Sequence, residues 1–200
     1  MSWNSLVLRR KISSAHRKLS QGGFGLIELM VSISIMAIVS ATILVRQDSF
    51  NSAILLRGQA FEIALQTREV QMSAVSSSGD IAPGIFRSVL GIHFDSSAAN
   101  NSRYKIFRDL DGDGYDAGEE YGAQGEIDKR FEISEIRAGV NDYDTLSVVF
   151  ERPNFDARFF SGAVEVFPTS VEIDIASVND SLVFRTVEIT STGQITVKSI

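Results

Sequence analysis

Between Asp109 and Glu120 the chain reads DLDGDGYDAGEE, with carboxylates at 109, 111, 113, 116, 119 and 120 and no basic residue among them. Carboxylates on alternate residues of a tight loop can point inward together. Ca²⁺ takes six to eight oxygens at about 2.3–2.6 Å, and glycine permits the sharp turn that brings them together. The pattern predicts a calcium loop. Asp109, Asp111 and Asp113 would supply side-chain oxygens, Tyr115 its backbone carbonyl, and Glu120 a bidentate closing carboxylate. Asp116 or Glu119 can replace a standard ligand. The competing reading is a solvated acidic turn, because Asp-Gly pairs favour turns. Charge repulsion weighs against it, since so many acids without a counter-charge would leave the loop loose.

The spacing is similar to that of an EF-hand loop. Counted from Asp109, the residues Asp109, Asp111, Asp113, Gly114 and Glu120 fall at positions 1, 3, 5, 6 and 12. Two features depart from that pattern. Asp116 stands where an EF-hand has an apolar residue, and Ala117 could act only through water. The flanks also differ, since Tyr104-Lys105-Ile106-Phe107 reads as a strand. The expectation is a calcium loop set between strands, with the ion in a structural role.

A second carboxylate stands out by its isolation. From Phe24 to Val45 there are 22 residues, and Glu28 is the only charged one. At ~1.5 Å per residue such a helix spans about 33 Å, enough to cross a hydrocarbon core of ~30 Å. A carboxylate there costs roughly 2.5–3.5 kcal/mol on insertion scales, so it implies a function and a partner. Arg9, Arg10, Lys11, Arg17 and Lys18 precede the span without a single acid. Basic flanks prefer the cytoplasmic side, which predicts an N-terminus inside and the remainder outside. A plain anchor is one alternative. Another is a secretory signal cut after Val39-Ser40-Ala41, releasing a soluble chain from Thr42.

Gly23-Phe24-Gly25-Leu26-Ile27-Glu28-Leu29-Met30 resembles the processing motif of type IV prepilins. The resemblance implies cleavage by prepilin peptidase between Gly23 and Phe24, on the cytoplasmic side, and N-methylation of Phe24. Glu28 then becomes the fifth mature residue, the family's glutamate position. There it would face the N-terminal amine of a neighbouring subunit. Gly25 departs from the threonine or serine frequent at the second mature position. Within pilin-like proteins the chain is similar to H-type minor pseudopilins, the GspH/FimT family. The similarity rests on Ala60-Phe61-Glu62, on Arg68-Glu69-Val70-Gln71 and on the segment Val187 to Ile195. It implies a subunit of a type II secretion pseudopilus or a type IV pilus, held in the inner membrane with a periplasmic head. Its expected partners are the peptidase and other pilin or pseudopilin subunits.

The elements that must carry these sites follow from periodicity. From Asn51 to Val75, Ala53, Leu56, Ala60, Ile63, Ala64, Thr67, Val70 and Ala74 recur at threes and fours, an amphipathic helix. Strands are predicted over 85–95, 104–108, 131–137, 145–151, 163–167, 171–176, 182–190 and 194–198. One helix followed by strands predicts an α+β, pilin-like fold, with the helix packed on an antiparallel sheet. The expected organisation is a leader over 1–23, a membrane or filament-core helix over 24–45, an amphipathic helix over 46–78 and a β-rich head over 79–200.

Composition narrows the function classes. The leader's five basic residues aside, 14 basic residues face 25 acidic ones, a net charge of −11. Nucleic-acid binding needs Lys and Arg, so a FimT-like DNA-uptake role is disfavoured. With no cysteine and two histidines, His16 in the leader and His93 in a strand, a nucleophile–base pair has little to work with. No catalytic residue is predicted. A soluble periplasmic calcium-binding module is the remaining alternative.

Overall fold

The computed structural model describes residues 25–76, 89–151 and 153–198, with side chains left aside for 45–50. The leader, Gly23 included, and Phe24 lie outside the described residues. The chain divides into two compact units, Met1–Val45 and Arg46–Ile200. Helix α1 (Leu26–Ser76) contributes to both.

In the first unit the helix buries nothing. Every residue from Leu26 to Leu44 is exposed, although the stretch is apolar enough to cross a membrane. Three of its hydroxyls are satisfied within the helix. Ser32 donates to the Glu28 carbonyl (2.8 Å), Ser34 to that of Met30 (2.8 Å) and Thr42 to that of Val39 (2.8 Å). Such back-bonding lets small polar residues sit in a span that offers no water.

In the second unit the same helix has an inside and an outside. Leu56, Ala60, Ile63, Thr67, Val70 and Ala74 are buried, whereas Arg57, Phe61, Leu65 and Arg68 face outward. Two antiparallel sheets complete this unit, where the periodicity predicts one. The strands are β1 (Leu90–Asp95), β2 (Arg103–Arg108), β3 (Gly125–Glu126), β4 (Phe131–Ala138), β5 (Asn141–Asp142), β6 (Thr145–Phe150), β7 (Ala157–Ser161), β8 (Val164–Val166), β9 (Ser170–Ser177), β10 (Asp180–Thr190) and β11 (Ile195–Lys198). One sheet runs β3-β2-β1-β6-β7-β8 and the other β11-β10-β9-β4-β5. The architecture is α+β and pilin-like. Ile92, Phe94, Val148 and Phe159 of the first sheet join Ile133, Ile136, Ile173 and Val187 of the second, together with the helix stripe, in one core.

Polar side chains on the buried helix face fasten the loops. Gln71 donates from Nε2 to the carbonyls of Phe155 (2.9 Å) and Gly193 (2.8 Å). Gly193 has φ +78°, and a Cβ there would sit 1.8 Å from the Phe155 carbonyl oxygen, so only glycine fits. The amide of Asp128 donates to Gln59 Oε1 (3.1 Å).

The six-stranded sheet is buried on both faces. Opposite the main core, Phe107, Val149 and Phe160 form a second cluster, with Val89 and Tyr115 packed against it. Gly91 makes room for it, since a Cβ there would lie 2.4 Å from Phe107 Cζ. Burying each of these large side chains contributes about 1.5–3 kcal/mol. The segment that covers this outer face is the acidic loop.

Candidate functional site

Strand β2 delivers the chain to the loop at Arg108. The amide of Asp109 donates to the Val89 carbonyl (3.1 Å), and only 5% of the residue remains exposed. Its Oδ1 accepts from the amide of Gly112 (2.6 Å). Its Oδ2 is buried with no hydrogen-bond partner among the described residues. Burial pushes the Asp109 carboxyl up from its ordinary value; the Gly112 and Gly114 amides and the Arg158 charge oppose this, and the nearby Asp111 charge adds to it.

Beyond Asp109 the loop folds over the sheet. Gly114 is buried at φ +109°, where a Cβ would lie 2.9 Å from Phe160 Cβ. Tyr115 stacks on His93 at a centroid separation of 4.4 Å and meets Phe107 edge-on at 5.4 Å. Lys105 Nζ donates to the Tyr115 hydroxyl (2.6 Å), which donates in turn to Glu120 Oε1 (2.5 Å). Glu120 also accepts from the Gly118 amide (2.9 Å) and lies 3.6 Å from Lys105 Nζ. The tyrosine hydroxyl, first among these partners, holds the Glu120 carboxyl down to about 2.

Glu119 faces the other way, into the loop. It accepts the amide of Leu110 at 3.0 Å on Oε1 and that of Asp116 at 3.2 Å on Oε2. Ligand oxygens of Asp109, Asp111 and Glu119 all lie within 4.8 Å of one another. Those of Asp111, Asp113 and Asp116 do the same. Asp113 is pushed up from its ordinary value, first by its hydrogen bond with Asp111 and then by the surrounding acids. The structure therefore brings together Asp109, Asp111, Asp113 and Asp116 of the expected set with Glu119, an expected replacement ligand. It sets Glu120 apart. The Tyr115 side chain anchors the loop to the sheet, a part that its place in the motif did not suggest.

His93 serves this packing. Burial lowers its pKa to about 4, against the opposing pull of Asp95, and its Nδ1 lies 2.9 Å from Ser147 Oγ. Ser147 is 1% exposed, so no substrate reaches its hydroxyl.

The second site is the start of α1. Glu28 is the acid of its first turn and is exposed, as is Gly25, whose carbonyl accepts the Glu28 amide (3.0 Å). A carboxylate at this end of a helix is favoured by the exposed amides of the first turn. The apolar run behind it, Leu26–Leu44, is compatible with a membrane anchor or signal.

Residues 18–44 match the family described as the prokaryotic N-terminal methylation motif. No curated protein and no solved structure matches the chain. The matched segment contains the basic residue Lys18, the glycines, Glu28 and nearly the whole apolar run. Together with the apolar helix and the α+β head, the match supports a type IV pilin-like protein, and the motif implies processing by prepilin peptidase and assembly with other pilins. A motif of this kind points to a structural protein rather than to an enzyme.

Proposed function

We propose that the chain is a minor pilin or pseudopilin, a structural subunit of a type II secretion pseudopilus or a type IV pilus. The observation that carries this reading is the wholly exposed apolar helix with one acid in its first turn, inside the methylation-motif match. Such a helix must bury its surface in lipid before assembly and against other helices after it. In this reading prepilin peptidase cuts between Gly23 and Phe24, and Phe24 is methylated. The basic leader keeps that end in the cytoplasm, and the head lies in the periplasm. Glu28 pairs with the N-terminal amine of a neighbouring subunit, which compensates a carboxylate in an apolar setting. The acidic mature chain suits protein contacts better than DNA.

The test is Glu28→Ala in the parent cells. Processing should continue, while recovery of the protein in sheared or overproduced filaments should fall at least tenfold. Undiminished incorporation would remove the role given to Glu28.

A further inference from the structure

We propose that the loop between β2 and β3 is a Ca²⁺ site whose first ligands are Asp109, Asp111 and Glu119, with Asp113 and Asp116 completing it from the solvent side. The proposal does not depend on the filament reading, since all its residues belong to the head.

Three observations converge. The first is Asp109. A carboxylate oxygen that is buried, without a hydrogen-bond partner among the described residues and beside further acids is costly unless a cation meets it. The Arg158 guanidinium, whose charge reaches Asp109, is itself engaged by Glu165 (2.8 Å) and Glu151 (3.7 Å). That oxygen belongs to a side chain whose neighbours in space are the Asp111 and Glu119 carboxylates. The second is spacing. Oxygens sharing one Ca²⁺ at about 2.4 Å can be separated by no more than ~4.8 Å. The three carboxylates satisfy that bound, and so do Asp111, Asp113 and Asp116. Asp111 is common to both groups, so one ion beside Asp111 can draw on either side.

The third is the division of labour between Glu119 and Glu120. An EF-hand register would close the site with Glu120. Here Glu120 is held by Tyr115, Gly118 and Lys105, and a neighbouring ammonium opposes its use as a ligand. Glu119 spends one hydrogen bond on each oxygen, which leaves lone pairs on both for a metal. The ion would thus join the end of β2, through Asp109, to the returning chain, through Glu119. It would close the loop that covers Phe107, Val149 and Phe160. An irregular, oxygen-only set of carboxylates suits Ca²⁺ better than Mg²⁺, which demands near-ideal octahedral geometry and keeps its waters.

The experiment is calorimetric titration of CaCl₂ into the full-length protein, stripped with chelator and held in detergent micelles, with thermal melts alongside. The expected result is one saturable site with Kd on the order of 10⁻⁵–10⁻³ M and a melting temperature that rises with Ca²⁺. Asp111→Asn, an exposed position, and Glu119→Gln should each weaken binding at least tenfold. Glu120→Gln should change it less than about threefold, because its carboxylate is engaged elsewhere. No saturable binding up to about 10 mM Ca²⁺ would overturn the site. Loss on Glu120→Gln with none on Glu119→Gln would overturn the ligand set. Equal affinity for MgCl₂ would overturn the choice of ion.

Discussion

Helix α1 contains two apolar stretches of opposite fate, the first with a single charged residue and the second with four. From Leu26 to Leu44 the apolar residues lie all round the helix, and none of them is buried. From Leu56 to Ala74 one stripe, with Leu56, Ala60, Ile63, Val70 and Ala74, is buried against two sheets, while Phe61, Leu65 and Met72 stay exposed. The difference lies in composition and arrangement together. A stripe can be satisfied by a core within the same chain, whereas an all-round apolar surface needs partners outside it. The chain thus separates what it supplies to itself from what a membrane or an assembly must supply.

Core truncation breaks the comparison most forcefully. Ile63 is fully buried, so Ile63→Ala should destabilise the head by about 2–5 kcal/mol, read from urea unfolding of the full chain in micelles. Ile33, of which 59% is exposed, is the matched control, and Ile33→Ala should leave the same transition in place. A shared loss would mean that the two stretches are not energetically separate.

A smaller effect should appear with pH, and in the head alone. His93 is neutral in the folded chain down to about pH 4, while the unfolded chain protonates it near 6.5. The unfolded state binds more protons between those values. The stability from the neutral imidazole is therefore complete above about pH 6.5 and is lost as pH falls towards 4, by roughly 3 kcal/mol at most. Asp95, Lys105, Tyr115 and Ser147 surround the ring. Wild type should lose melting temperature over that interval more steeply than His93→Gln. Parallel curves would show that the imidazole does not stay neutral.

Much of this division was legible in the residues. The helix stripe follows from spacings of three and four, and the span from an unbroken apolar run. The two-sheet arrangement was not legible, because it rests on pairings distant in sequence, β1 with β6 and β4 with β9. Strand β7 was missed for a local reason. Phe159 and Phe160 point to opposite faces of a sheet buried on both sides, which erases the alternation that marks a strand. The acidic loop was visible as a candidate cation site, but its closing residue was ambiguous. Glu120 bridges Phe107 across from β2, and neighbours in extended chain face opposite ways. That pairing turns Glu120 towards Tyr115 and Lys105 and Glu119 inward, and only the fold reveals it.

The central claim is that an outside partner awaits the first stretch, prepared by processing at Gly23. The most direct measurement is the mature N-terminus, by intact mass and terminal sequencing of protein from the membrane fraction. The account predicts a chain that begins at N-methylated Phe24. A chain that begins at Thr42, or one that keeps the leader, would contradict it.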